Sequence, residues 1–255
     1  MTLHEKKPHG PTCKEVALEN LEQRSIRDST YRNYLQTLKA LDLEDVPFSE
    51  ASIRFVSRRL QRILTESTRR KHATNIRSML GIKVPLPRAK SKAYELPDFQ
   101  EVVEAFRDSR YELQAFSSLF AGMRLGEACV RQKIKGTTIL IDKQRTPDHQ
   151  ILPAKSSGPV IVPSWFADMY READDFSKHH ATIHTGIKRR SLYMLGTELS
   201  PHMLRHLFAC HLVDNGATPK QLQMQMRHTK VETSLTFYTH ARQRDLSDLM
   251  NRLGN

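Results

Sequence analysis

The segment Ser200–Cys210, SPHMLRHLFAC, puts two histidines and an arginine into the first two turns of what its spacing predicts to be a helix. Ser200 suits the N-cap, Pro201 the first helical position, and Gly216 a place just past the end. Leu204, Leu207, Phe208 and Leu212 form one apolar stripe, with His202, Arg205 and His206 on the other side. His202 and Arg205 are neighbours at i,i+3, so an imidazole and a guanidinium are expected together at the positive end of the helix dipole. That pairing suits an anion. It suits zinc less, because Met203 stands where an HExxH motif carries its glutamate. HHATIHTG at 179–186 is rich in histidine, but nothing nearby supplies an acidic or thiolate third ligand, and it reads as a loop. No metal site is expected.

The composition points to the same kind of ligand. The chain has 255 residues, 40 of them Lys or Arg against 28 Asp or Glu, for a formal charge of +12 and an isoelectric point near 9.8. Clustered charge of this size is the footprint of a polyanion binder, because every phosphate neutralised releases condensed counterions. A mean hydropathy of −0.55 suits a soluble globular chain, and no apolar run approaches the roughly 18 residues that cross a bilayer. The opening MTLHEKKPHGPTCKE lacks the apolar stretch of a signal peptide. Cys13, Cys129 and Cys210 are far apart and odd in number, which argues against a disulfide framework or a CxxC metal knuckle and suits a reducing cytoplasm. Nucleic acid is the expected partner, and a membrane is not.

Stepwise along the chain, residues 14–81 read as a bundle of about four short helices. STYRNYLQTLKAL places Tyr31, Tyr34, Leu35, Leu38 and Leu41 at helical spacing, and SEASIRFVSRRLQRIL does the same with Ile53, Val56, Leu60 and Ile63 after a Ser49 cap. TESTRRKHATNIRSMLG starts from a capping Thr65 or Ser67 and stops at Gly81. Its first turns are crowded by Arg69, Arg70 and Lys71, with Arg77 two turns on; these four are the candidates for contacts to DNA phosphates or the major groove. KVPLPRAKSKAYELP, with three prolines and four basic residues, is an extended basic linker. Helices resume in PDFQEVVEAF and in YELQAFSSLFAG, the latter stopped by Gly122, while TTILI and GPVIVP are the convincing strands. The expected fold is mainly α with a minor β-sheet (α+β): a small helical domain over 1–84, the linker over 85–96 and a larger helical domain over 97–255. Two domains on a basic tether suit a clamp around a duplex.

Beyond the His/Arg helix, TPKQLQMQMRHTKVETSLTFYTHA opens on Thr218 and Pro219 as cap and first position, then carries His228 and, ten residues on, Tyr238. H-x-x-R-H, a histidine near the end of the next helix and a tyrosine before Thr-His together resemble the tyrosine recombinase (phage integrase) family. FAGMRLGEA at 120–128 resembles the family's first arginine box, giving Arg124 and the accompanying Glu127. In LPAKSSGPVIVP, Lys155 stands just before the second expected strand, where the family carries a hairpin lysine; Lys143 is its rival. ELPDFQEVVEAF looks like the opening of the family's catalytic domain and 14–81 like its core-binding bundle. Two departures are visible. Arg227 replaces the glycine usual before the third-motif histidine, which bears on how His228 is seated, and the stretch between the arginine box and the first strand is short.

The resemblance implies a site-specific DNA recombinase that needs no cofactor or metal. Arg124 and Arg205 would bind the nonbridging oxygens of a phosphodiester, with a further hydrogen bond from His228. Tyr238 would attack phosphorus to leave a covalent 3′-phosphotyrosine, with His202 as base and Lys155 protonating the leaving 5′-oxygen. His206 is read as structural, and Tyr193 as a packing residue rather than a second nucleophile. The implied partners are double-stranded DNA core-type sites and further copies of the chain, a monomer without DNA becoming a homotetramer on two duplexes. The last segment, with Leu246, Leu249, Met250 and Leu253 on one helical face, would be the exchanged helix. The expected setting is a bacterial host's cytoplasm and nucleoid. A minimal phage or mobile-element integrase without an arm-site-binding domain is the leading form. An Xer-like chromosome-dimer resolvase and a catalytically inactive DNA-binding regulator are the alternatives, and a relaxing type IB topoisomerase shares the chemistry.

Overall fold

The computed structural model describes residues 10–86, 96–176, 178–230, and 232, 235 and 237. The chain divides into two compact units, residues 1–93 and 94–255. Most of the expected linker, residues 87–95, lies outside the described residues. Among those described, no helix is long and apolar enough to cross a membrane.

The first unit contains α1 (Cys13–Glu22), α2 (Asp28–Ala40), a 3₁₀ turn at Phe48–Glu50, α3 (Ile53–Gln61) and α4 (Glu66–Leu80). Thr12 and Glu15 close a reciprocal capping box on α1, and Gly81 ends α4 in the left-handed region at φ 70°. Leu38, Leu41, Val56, Leu60, Ile76 and Met79 fill the core. Tyr31 and Ile53, expected on the same stripes, are exposed at 36% and 51%. The cap of α3 is Ser52, not Ser49, because Phe48–Glu50 closes its own 3₁₀ turn and delays the helix by one turn. Among the buried polar groups, Thr37 Oγ1 lies 2.9 Å from His72 Nδ1 and accepts from Asn75 at 2.8 Å, tying α2 to α4.

The second unit runs α5 (Phe99–Phe106), α6 (Glu112–Ala121), α7 (Leu125–Ala128), β1 (Lys133–Lys135), β2 (Thr138–Arg145), β3 (Ile151–Ile161), α8 (Ser164–Glu172), α9 (His180–Leu195), α10 (Pro201–Asp214) and α11 (Pro219–Met226). Helix α6 is buried nearly all round, so its sequence is apolar without a clear stripe; its buried Ser117 and Ser118 hydroxyls return to the carbonyls of Leu113 and Gln114. Around it lie Phe106, Phe116, Leu119, Met123, Ile139, Phe166 and Tyr170. The sheet is antiparallel in the order β1-β2-β3.

Three differences from the sequence reading have physical causes. The strands are longer than TTILI and GPVIVP: β2 runs on to Arg145 and β3 begins at Ile151, where Pro153, opposite Lys143, is tolerated because β3 is an edge strand. The outer edge of β3 is met by Gln225, whose amide accepts from Ile161 N–H at 3.2 Å and donates to its carbonyl at 2.6 Å. β1, too short to show periodicity, occupies the brief stretch after the arginine box. Residues 180–186 are not a loop but the first turns of α9; His179 caps them, its Nδ1 accepting from Ala181 N–H at 3.0 Å. Tyr193 is 86% exposed on α9 and packs on nothing substantial.

Candidate active site

The site is assembled where several elements end. Gly122 stops α6 in the left-handed region at φ 57°, where an added Cβ would stand 3.1 Å from Met226 and Phe208 and push those side chains aside. The turn delivers Arg124 to the N-cap of α7, and Glu127 Oε2 accepts from the Arg124 backbone N–H at 2.9 Å. Glu127 is fully buried. Its Oε1 accepts from Arg124 Nη1 at 2.9 Å, and its Oε2 from Arg227 Nη2 at 2.5 Å. The pairing of Arg124 with Glu127 is therefore an ion pair as well as a helix start.

Arg205 departs from the amphipathic picture of α10. It is 3% exposed, not on a solvent face. The ends of α6 and α11 cover that side, and Arg205 donates to the carbonyls of Gly122, the cap residue after α6, and Met226, the last residue of α11. Helix C-termini carry partial negative charge, so they seat a cation. Each of these bonds uses one of the five guanidinium N–H donors, so Arg205 keeps donors for a ligand. The same holds for Arg124, which among the described residues otherwise donates to Ser156 Oγ at 3.4 Å and remains 30% exposed.

Arg227 is the feature that the sequence reading undervalued. It ends α11 at φ 52°, a left-handed backbone that glycine normally supplies. Its buried side chain donates from Nε to the Ser156 carbonyl at 3.3 Å and from Nη2 to the Gly122 carbonyl at 3.4 Å and to Glu127. Its Nη1 is buried and has no hydrogen-bond partner. The signal was present as an arginine at a glycine position, but only three dimensions show what the guanidinium reaches.

Three guanidinium groups thus face one buried carboxylate, and the uncompensated charge acts on every base nearby. Burial, followed by the Arg124 and Arg227 charges, lowers Arg205 to about 9, still protonated at neutral pH. Burial lowers His228 to about 4, helped by Arg205, Arg124, Arg227 and His202. His202 is also lowered, by desolvation and then by Arg205 and Arg124. Both imidazoles are therefore neutral at pH 7, able to accept or donate a proton. His228 stacks on Phe237 at 6.1 Å between ring centroids, and His206 lies 4.7 Å from the same ring. An arrangement this rich in fixed positive charge, with spare donors, can bind an anion and stabilise charge that builds on it.

Lys155 lies within β3 rather than before it, in an irregular segment. The register passes from Ile141↔Gly158 to Lys143↔Pro153, so residues 154–157 stand against Asp142 alone. This bulge holds Lys155 exposed while its neighbour Ser156 touches both Arg124 and Arg227. Lys143 sits opposite, on β2. Tyr238 lies outside the described residues. In the first unit, Arg69, Arg70, Lys71 and Arg77 are all on α4. Arg69 donates to the Ile63 carbonyl, Lys71 to Asn33 Oδ1 and Arg77 to the Val84 carbonyl, at 2.8, 2.8 and 2.9 Å. No cluster of His, Cys, Asp and Glu among the described residues could hold a metal ion.

Residues 170–244, which include His202, Arg205, His228 and Tyr238, match the model of the phage integrase family. A tyrosine recombinase XerD of Pseudomonas aeruginosa is 39% identical over 75 residues, 29% of this chain and 22% of that protein. A tyrosine recombinase of Pseudothermotoga lettingae is 24% identical over 186 residues, covering 68% of this chain and 65% of its own. The matches thus span less than two thirds of either relative. Among solved structures, the Tn1549 transposon integrase in complex with transposon right end DNA superposes with a TM-score of 0.73 at 15% identity, over 96% of this chain and all of that one. A lambda integrase dimer bound to a COC′ core site gives 0.65 at 14% identity, over 86% and 91%. These likenesses are of fold.

Two measurements test the electrostatics. Glu127→Gln leaves buried guanidinium groups facing a neutral amide, so the free energy of unfolding in urea should fall by about 3–5 kcal/mol; a loss below about 1 kcal/mol would show that the carboxylate does not hold the cluster. His228 titrates near 4 when folded against an ordinary 6.5, so the unfolded chain binds more protons in that window and stability falls as pH falls through it. His228→Gln should flatten this slope between about pH 7 and about pH 5, and an unchanged slope would assign it to other groups.

Proposed function

We propose that this chain, which belongs to the phage integrase family of tyrosine recombinases, is a site-specific recombinase that cleaves and rejoins duplex DNA through Tyr238. The observation that carries the reading is the cluster of Arg124, Arg205 and Arg227 around one buried carboxylate, with His202 and His228 kept neutral beside it. A phosphodiester resists attack because its anionic oxygens repel nucleophiles, and the transition state places more charge on them. Arg124 and Arg205, planar and charged at neutral pH, bind those oxygens with their spare donors, and His228 adds a hydrogen bond.

Tyr238 attacks phosphorus. The phenol proton passes to His202, the bond from phosphorus to the 5′-oxygen breaks, and Lys155 protonates that oxygen. A phenol of pKa about 10 needs such surroundings to react at neutral pH. The 3′-phosphotyrosine keeps the bond energy, so attack by another strand's 5′-hydroxyl reseals the backbone without ATP. The unsatisfied positive charge of the site is what the phosphate answers.

The substrate is a core-type duplex site, gripped in the first unit through Arg69, Arg70, Lys71 and Arg77 on α4, and the working assembly is a homotetramer on two duplexes. An apolar groove of about 940 Å³ in the second unit, walled by Phe99, Phe120, Ile161, Phe208, Leu212 and Met224, suits the apolar face of residues 246–253 from a neighbouring copy. Integration and excision of phage or mobile-element DNA is the proposed role. Chromosome-dimer resolution is a second reading, favoured by the likeness to XerD over 75 residues.

A nicked suicide duplex randomised over its core, incubated with the protein in EDTA, should yield a covalent adduct on a denaturing gel. Tyr238→Phe should abolish it; an adduct that persists in the variant would assign the nucleophile elsewhere. With the recovered sequence, removal of residues 242–255 should leave half-site cleavage within about threefold while synapsis of two full sites is lost. Undiminished recombination by the shortened chain would remove the exchanged tail from the account.

A further inference from the structure

Arg227 makes contacts that a cap of α11 does not require. A non-glycine residue at φ 52° is a strained choice where glycine is free of penalty. Its Nη1 is sealed without an acceptor, a state that costs stability rather than adding it. A residue retained at both costs points away from stability alone and toward what its other atoms hold. Nε donates to the carbonyl of Ser156, in the middle of the bulge, and Nη2 reaches Glu127. The aliphatic stem lies beside Gly158, where an added Cβ would stand 3.6 Å from Arg227 Cδ, in ordinary contact. So one side chain spans the bulge at 154–157, the end of β3 beyond it, and the carboxylate that Arg124 also uses.

We infer that Arg227 is a positioning residue: it docks the bulge that carries Lys155 onto the Glu127–Arg124 pair, and so sets where the lysine ammonium meets the leaving oxygen. This rests on the recombinase reading above. Arg227 acts through the backbone of Ser156, one residue from Lys155, and through the carboxylate that orients Arg124. Lysine at 227 would keep a positive charge and a flexible stem, but its donors all sit on one nitrogen and could not reproduce the span between Nε at Ser156 and Nη2 at Glu127.

The test separates positioning of the proton donor from general support of the fold. The full-length chain is given two suicide duplexes of the recovered core sequence, one with the natural bridging oxygen and one with a 5′-bridging sulfur, whose leaving group needs no proton. Lys155→Ala should lose about 100-fold or more on oxygen and recover most of this on sulfur. Arg227→Lys, and Arg227→Gly, which also relieves the backbone, should behave alike: a loss of about 10- to 100-fold on oxygen, most of it regained on sulfur. Equal losses on both substrates, or no loss on oxygen, would overturn the inference while leaving the recombinase reading intact. If the parent protein forms no adduct with either duplex, the recombinase reading fails and takes this one with it.

Discussion

The second unit is organised around a charge imbalance: two guanidinium groups, Arg124 and Arg227, share one buried carboxylate, and a third, Arg205, lies beside them on backbone carbonyls. Removing that many charges from solvent is costly unless each finds oppositely polarised groups. The fold supplies them from the backbone. The carbonyls of Gly122 and Met226, at the ends of α6 and α11, hold Arg205, and the Ser156 carbonyl holds Arg227. Helix ends converge on the site because helix ends are where unsatisfied carbonyls are found.

The same arrangement sets the behaviour of the imidazoles. His202 and His228 lie in a field that disfavours a further proton, so their neutrality is a property of the arginines and not of the histidines. A bound anion would cancel part of that field and make protonation of either ring easier. The empty and the occupied site therefore differ in acid–base character without any movement of the backbone.

Much of this was legible in the chain itself, and the exceptions are instructive. Ser200, Thr218, Gly81 and Gly122 cap or stop helices as their types dictate, since capping depends on neighbours in sequence. Arg205 stood out beside His202 by its i,i+3 spacing, whereas Arg124 and His228 were named only through the family resemblance. What could not be seen was that Arg205 is buried, because the elements that cover it are separated from it by many residues. The helix at 180–195 was hidden by a histidine- and threonine-rich start of poor intrinsic propensity, overridden by packing of Ile183 and Ile187 in the core. Tyr193 looked like packing by composition alone, and no local signal distinguishes a buried tyrosine from an exposed one. Lys155 could be located along the chain but not its bulge, since that depends on β2 offering one residue opposite four.

Gln225 has a role beyond joining α11 to β3. A strand at the border of a sheet offers unpaired amide groups to any extended chain that drifts past, the usual start of unwanted polymerisation. Here the primary amide of Gln225 occupies both the donor and the acceptor of Ile161, imitating one residue of an additional strand. Pro153 and Pro159 have no N–H to offer. At these three residues the border offers no free N–H to an intruding strand, so one side chain and two imino acids narrow this route to amyloid.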